Sequence, residues 1–575
     1  MKVIKITALV GLLWTILSAG VGRFGTTASA RTPENPGTNV PRISLLSSFR
    51  PIGGFDNNLK HPDFDPVPGS PEVAMTRLNF VSGSNDGLAT GPNPRTISNV
   101  IAGGTGANGQ SGETDDPVAS AWLYVFGQFV DHDIDLEETP TNSPAINIVV
   151  PPGDPVFAAG TSIAMTRDVR DRATNTIVNT VAGYLDLSQL YGSSSDVAAS
   201  LRNPDGTLVT SGNGEYLPVV NDAYVTGDAR VTENPELTAT TTLFMREHNY
   251  WVGQLRAQHS DWSGDQLYDM ARAITTAEYQ NIIYQEYLPL LLGGSLGSYR
   301  GYNPNINSQV SQEFSTAAFR LGHSEVSDNQ EGLDNNGHVV YTETLAQAFF
   351  NTPAQDEANG VGALLRGVSA DFSQATDVYA VPTMRNLLFA PLPGGDVDEM
   401  DLIAIDIQRE RDVGLGTLNQ TRQAYGLSPY DSFEDLTSDP MLQANLKKVY
   451  GNINDVDLFI GGLAENHAPG AEVGPTFQTI IGHQFRALRS GDRFFWLNQG
   501  FDPATASMIS NTRLSDIILR NTDTTTVQPN VFLPPTPSAT SLKRETTAVW
   551  TRQAPTGTIN VLGHTRPPFL ANGMR

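Results

Sequence analysis

The stretch Gly127-Gln-Phe-Val-Asp-His-Asp133 sets acid, imidazole and acid side by side, at the end of what reads as a buried helix. Trp122, Phe126, Phe129 and Val130 recur at three- and four-residue spacing, the pattern of a core-facing helical stripe. Asp116 is suited to cap such a helix and Pro117 to start it. On a helix Gln128 and His132 lie four apart on one face, Asp131 is three from Gln128, and Asp133 points elsewhere. One turn can therefore present an amide, an imidazole and a carboxylate to a cavity while sending a second carboxylate the other way. Unpaired buried charge is costly, so the rest of the chain must supply partners.

Working outward, the chain has 575 residues, enough for a large core. A net charge of -25 argues against nucleic acid or an anionic membrane surface as a partner. Residues 1–30 read as a secretory signal: Lys2 and Lys5, an apolar stretch from Ile6 to Val21, then Ala28-Ser-Ala30 as a cleavage site. The stretch is short for a membrane span, and no later segment is a better candidate. The expectation is a secreted, extracellular protein without stable membrane insertion, a short N-terminal anchor being the alternative. There are no cysteines, which excludes thiolate-ligated haem, iron–sulfur clusters and a cysteine nucleophile.

Residues 31–70, rich in Pro, Gly and Asn, suggest an extended wrapping segment. Gly103-Gly-Thr-Gly106 lacks the flanking strand and Lys-Ser/Thr of a phosphate loop and reads as plain loop. Tyr184-Leu-Asp-Leu-Ser188 offers alternating carbonyl, carboxylate and hydroxyl oxygens, which suit Ca²⁺ or simply an ordinary turn. Asn234 and Pro235 start a helix whose stripe includes Leu237, Phe244, His248 and Leu255, with His248 as a satisfied core histidine. A second helix is expected from Asp265 to Leu288, ending before Pro289. Gly322 beside His323 permits close approach of a flat ligand or another helix. A helix through Met384–Phe389, a polar loop and a segment from Asp401 to Leu415 follow, and residues from Thr522 onward are expected to be loosely ordered. Strand patterns are few and there is no internal repeat. The fold class is mainly α: one large helical domain over residues 31–575, its core about 45–500, with few short strands.

These residues alone leave several chemistries open. Zinc hydrolysis lacks His-Glu-x-x-His or any other compact ligand spacing. Gly293-Gly-Ser295-Leu-Gly297 matches a nucleophile elbow by letters, but it follows a helix and not a strand. A haem held by one histidine and facing a second suits a helical cavity.

Gly127–Asp133 closely resembles the signature of the animal-type haem peroxidases, the peroxidase–cyclooxygenase superfamily. The resemblance recurs in order through Asn57-Asn-Leu59, Tyr184–Ser188, Arg230-x-x-Glu233, Arg246-Glu-His-Asn249, Phe319-Arg-Leu-Gly-His323, Asp406-Ile-Gln-Arg409, Gly461-Gly462 and Gly491-Asp-Arg-Phe494. It is closest to the short, peroxinectin-like members. It implies a haem b, with His132, Arg230 and Gln128 on the distal side and His323 as the iron ligand. It implies ester bonds from Asp131 and Glu233 to the haem, and Arg409 and Arg320 beside its propionates. It implies Ca²⁺ held by Asp133, Tyr184, Asp186 and Ser188, although the relatives' threonine is Ala182 here. Asp406 stands where many relatives carry asparagine. As the stronger acceptor it is expected to push His323 toward imidazolate and lower the iron's potential. Asn234 stands where the most strongly halogenating relative forms a sulfonium link, which asparagine cannot make. The implied activity is oxidation of small anions (bromide, iodide, thiocyanate) or phenolic donors by hydrogen peroxide through a ferryl intermediate. A fatty-acid dioxygenase is the rival within the superfamily, but its radical tyrosine position holds Arg320. An adhesion protein that keeps the fold is the rival outside enzymology, and it would have little need for His132, Arg230 and His323 together.

Overall fold

The computed structural model describes residues 40–78, 90–103, 115–140, 142–211, 214–221, 223–349, 353–389 and 398–535. The signal-like segment, Gly104–Gly109 and the polar loop at 390–397 lie outside the described residues. The described residues belong to one unit. It is mainly helical, with strands confined to short antiparallel pairs.

The helix at the centre runs Trp122–Ile134 and is buried on nearly every side. Its aromatic stripe forms the middle of the core. Phe129 stacks on Phe244 with centroids 5.0 Å apart, Phe126 meets Tyr279 at 6.0 Å, and Phe532 closes on Phe126 at 5.3 Å. Phe244 belongs to Pro235–Gln258 and Tyr279 to Gly264–Ile282, the two longest helices. Rings of this size each bury roughly 150–250 Å² and dominate core energetics. Gly127 is required here: a Cβ would stand 2.9 Å from the Tyr287 hydroxyl.

The central helix is not capped by Asp116. Residues Asp115–Ser120 form a strand paired with Phe372–Gln374, and Ala121, in helical conformation, precedes Trp122 without a side-chain cap. Asp116 accepts from the Val118 amide instead, at 2.8 Å. Tertiary strand pairing has overridden the local capping signal. The second long helix also departs from expectation. Past Ile282 it widens into a π turn, Ile283–Tyr287, and continues as Leu288–Leu291 with Pro289 inside it. A π turn shifts the hydrogen-bond ladder, so the missing proline N–H costs no bond. The 384–389 stretch is split: Pro382–Asn386 is helical and Leu387–Phe389 is a strand paired with Asp398–Met400.

Asn234 caps Pro235–Gln258 as expected, accepting from the Leu237 amide at 2.8 Å. His248 is a satisfied core histidine, fully buried between the Tyr191 hydroxyl and the Gly206 carbonyl, both at 3.0 Å. The N-terminal segment does wrap: Ile43 donates to Gln258 at 2.9 Å and Arg50 pairs with Asp492 at 2.5 Å. Residues 522–535 are packed and not loose. Val531 and Phe532 are fully buried, and their carbonyls accept from Ser120. Burying Phe532 against the central helix offsets the ordering cost that composition suggested would prevail.

Candidate functional site

His132 sits near the C-terminal end of the central helix and is 5% exposed. Its Nε2 lies 3.6 Å from Glu233 Oε2, too long for a hydrogen bond. Burial, and then the nearby Arg230, lower its pKa to about 3, so the imidazole is neutral across the physiological range.

Arg230 lies in the short turn Ala229–Thr232, which Asp228 caps by accepting from the Arg230 amide at 2.7 Å. The same carboxylate accepts from Arg230 Nε and from Nη2 at 2.7 Å. Nη2 also donates to the Asp135 carbonyl at 2.7 Å, just past the end of the central helix. Arg230 therefore fastens its own turn to that helix. Gly227 permits the turn: a Cβ there would fall 2.1 Å from the Ser188 carbonyl.

Two carboxyls line the same space. Burial, and then Asp135, raise Asp131 to about 8 against Arg230 and Arg320. Burial raises Glu233 to about 7, against Arg230, although 36% of its side chain stays accessible. Glu233 Oε2 accepts from Gln128 Nε2 at 3.2 Å, and Asn234 Nδ2 donates to Gln128 Oε1 at 2.9 Å.

The second histidine comes from a separate part of the chain. The chain turns through Ala318–Leu321 into Gly322–Glu325, anchored by Phe314 stacked on Phe319 at 4.6 Å. His323 Nδ1 donates to Asp406 Oδ2 at 2.6 Å. A carboxylate accepts only, so the proton is on Nδ1 and the Nε2 lone pair is free to bind a metal. Asp406 is fully buried in the helix Leu402–Asp412. Its other oxygen accepts from Arg320 Nη1 at 3.2 Å, while Arg320 Nη2 donates to Glu137 Oε1 at 2.8 Å and Nε to the Ser315 carbonyl. The charge of His323 is felt at Glu233, the residue beside His132, so the two histidine-bearing segments lie near one another. A Cβ on Gly322 would meet only Glu325, at 3.9 Å, so the close approach of another helix is not what this glycine serves.

Arg409 is already engaged, with Nη1 2.9 Å from both Asp168 and Asp412 and Nε 3.9 Å from Glu137. Both arginines expected beside propionates therefore share Glu137. Sequence reading passed over Glu137, Asp135 and Asp228. The first two continue the alternating acids of Asp131 and Asp133 past the helix end. Asp228 carries the ordinary signal of a cap two residues before the arginine it holds.

Asp133, one residue past His132, points away from the cavity. Its carboxylate accepts from the Leu187 and Ser188 amides at 3.0 and 2.5 Å, and its carbonyl from Ser188 Oγ at 2.8 Å. Leu187 takes φ +60° to bring these groups in. Asp186, 1% exposed, has no hydrogen bond on either carboxylate oxygen; Arg272 approaches only to 3.6 Å. Burial raises both acids, and Asp186 adds to the rise at Asp133. Two buried carboxylates, one of them Asp186 with both oxygens orphaned, together with a hydroxyl and carbonyls, fit a hard cation. Tyr184 contributes less directly, since its carbonyl accepts from the Asp186 amide at 2.9 Å. Among the described residues no cluster of three or more His, Cys, Asp or Glu side chains has metal-site geometry.

Residues 49–532 match the family model "Animal haem peroxidase". The chain is 34% identical over 536 residues to Peroxinectin A of Dictyostelium discoideum, covering 86% of this chain and 97% of that one. Among solved structures, Peroxidase A from Dictyostelium discoideum aligns with a TM-score of 0.74 at 30% identity, covering 84% of this chain and 99% of that one. A fatty acid alpha-dioxygenase of Arabidopsis thaliana shares the fold with a TM-score of 0.72 at 19% identity, covering 87% of this chain and 88% of that one.

Proposed function

The chain belongs to the animal haem peroxidase family as a peroxinectin-like member, and from that premise we propose how its own residues divide the work. His323 holds the haem iron through Nε2. His132, Arg230 and Gln128 form the opposite, peroxide-binding side. Neutral His132 takes a proton from hydrogen peroxide and returns it to the departing oxygen, which leaves as water. The bound haem supplies the electrons that break the O–O bond. Arg230, pinned by Asp228, keeps a fixed positive charge beside the developing negative one. Asp406 fixes the tautomer and orientation of His323. The single observation that carries this reading is the contrast between the two histidines, one kept neutral by burial without a carboxylate hydrogen bond and the other bonded to a carboxylate at 2.6 Å.

The finer assignments follow the same premise. Asp131 and Glu233, both raised by burial, would hold the haem through ester links, each carboxyl oxygen replacing a hydrogen of a haem methyl group with hydrogen peroxide as the two-electron oxidant that leaves as water. Asp133, Asp186, Ser188 and the Tyr184 carbonyl hold Ca²⁺, which pins the chain beside His132. Arg409 and Arg320 lie toward the propionates. The donors are small: halides, thiocyanate or phenols. Arg320, fixed on Asp406 and Glu137, stands where a dioxygenase needs its radical tyrosine, which favours peroxidation over fatty-acid oxygenation. Residues 1–30 direct export. No described helix is long and apolar enough to cross a membrane.

The test is to load the chain lacking residues 1–30 with haem, record its absorption before and after hydrogen peroxide, and extract it with acidified solvent. A high-spin ferric spectrum that responds to peroxide, with haem that resists extraction, is the expected result. Extractable haem with normal turnover removes the esters and leaves the peroxidase. Haem that ignores peroxide overturns the assignment.

A further inference from the structure

We propose that Asn234 is a positioning residue that locks the Gln128 amide with its N–H₂ end toward the reacting space, making that space a donor site for small anions such as thiocyanate. The proposal rests on the peroxidase reading above and adds to it which residue sets the polarity of the anion site.

The argument begins at a helix N-terminus. The first amides of a helix can only donate, and they need an acceptor. In Pro235–Gln258 the first residue has no N–H, and the Leu237 amide donates to Asn234 Oδ1 at 2.8 Å. This commits the oxygen of the Asn234 amide. The other end must be –NH₂, and it lies 2.9 Å from Gln128. Gln128 must therefore turn its oxygen to Asn234, which leaves Nε2 pointing away, 3.2 Å from Glu233 Oε2. Flipping Gln128 would set two –NH₂ groups against each other at 2.9 Å and an amide oxygen against the Glu233 carboxyl. Flipping Asn234 would strip the helix of its cap. Asn234 is 8% exposed, so water is poorly placed to repair either error. A backbone donor thus dictates the orientation of a side-chain amide two hydrogen bonds away.

The consequence falls where the chemistry is. Glu233 Oε2 lies 3.2 Å from Gln128 Nε2 and 3.6 Å from His132 Nε2. Two nitrogen groups converge on one oxygen position, with the Arg230 charge nearby. Gln128 Nε2 carries a second hydrogen, and no second acceptor for it is found among the described residues. A small anion on this side would meet an N–H donor, not an amide oxygen.

The test uses ferric holoenzyme titrated with thiocyanate, followed by the haem absorption band, alongside thermal melting. Asn234→Ser keeps a neutral capping oxygen but is too short to reach Gln128. Asn234→Asp keeps cap and length but offers only acceptors, so Gln128 must turn its –NH₂ toward it. Melting temperatures near the parent's show that the cap survives. Thiocyanate affinity should fall several-fold in Asn234→Ser and about tenfold or more in Asn234→Asp, the size of one hydrogen bond to a charged group. The thiocyanate KM should rise more than that of a neutral phenol. Gln128→Ala should lose about as much as the double variant with Asn234→Ser. Parent-like affinity in both Asn234 variants overturns the proposal, as does parent-like affinity in Gln128→Ala. In either case the parent enzyme's haem uptake and peroxide response stand, which separates this failure from failure of the peroxidase reading.

Discussion

The two histidines of the proposed site are the same side chain in opposite company. His132 has no carboxylate within hydrogen-bonding distance, and burial with Arg230 keeps it neutral. Its orientation comes from packing, through a helix seated among aromatic rings. His323 rests on a turn and takes its orientation from one short bond to Asp406, backed by Arg320 and Glu137. An imidazole without an acceptor partner keeps a proton-accepting nitrogen and moves protons. One whose Nδ1–H is held by a carboxylate presents a fixed, electron-rich Nε2 and binds metal. The environment assigns the role, so exchanging environments should exchange phenotypes.

The largest effect comes from breaking each side separately. His323→Ala should lose haem, seen as loss of the haem band relative to protein after gel filtration. His132→Ala should keep haem yet react with peroxide slower by roughly 10² to 10⁴-fold in stopped-flow measurement, the usual worth of a positioned acid–base group. If His132→Ala were the variant that shed its haem, the assignment of sides would be reversed.

Next is pH. With the folded pKa lowered to about 3, His132 is a competent base at every pH above that. The peroxide reaction should then stay level through pH 6.5, where an ordinary histidine would titrate, and decline only toward pH 3. An inflection near 6.5 that His132→Gln abolishes would show that the imidazole is not held as described. Stability carries the same sign over a wider window. The unfolded chain binds this proton near pH 6.5 and the folded chain does not. Stability from this group is whole above 6.5 and erodes as pH falls toward 3, by roughly 5 kcal/mol at most.

How much of this contrast was readable in advance depends on distance along the chain. The distal side is read from signals local to each segment: the stripe of Trp122 to Val130, the Gln128–His132 spacing and the Asn234–Pro235 cap each span only a turn or two, although Gln128 and Asn234 meet across 106 residues. The proximal side is not. Arg320 reaches Asp406 and Glu137 across 86 and 183 residues, and no periodicity announces such pairs. Asp406 was legible only through family resemblance. The errors share that cause. Asp116 looked like a cap until a strand from residue 372 claimed it, Pro289 looked like a stop until a π turn absorbed it, and residues 522–535 looked loose until Phe532 found Phe126.

A smaller effect tests the proximal bond. Asp406→Asn keeps the shape but weakens the acceptor. It should raise the ferric/ferrous reduction potential and lower the iron–histidine stretching frequency of the ferrous form. Arg320→Gln removes the countercharge and should move both the other way. In the Asp406→Asn background Arg320→Gln should do much less, because its effect passes through the carboxylate. Equal shifts in both backgrounds would mean that Arg320 acts on the haem directly, as a propionate partner. Asp406→Ala leaves the buried Arg320 and His323 short of their shared acceptor. It should cost about 3–5 kcal/mol in denaturant unfolding, the usual price of a broken buried pair.

The smallest effect isolates the distal side's reliance on packing. A Cβ on Gly127 would stand 2.9 Å from the Tyr287 hydroxyl, so Gly127→Ala must displace either the ring or the helix. Overpacking of this size costs about 1–2 kcal/mol. Because the helix carries Gln128 and His132, the shift should slow the peroxide reaction several-fold while leaving the reduction potential, a proximal property, where it was. Tyr287→Phe removes the obstructing oxygen and should restore both stability and rate in the double variant. If the potential moved as much as the rate, the two walls of the cavity would be mechanically joined, and the contrast between a histidine placed by packing and one placed by a hydrogen bond would fail.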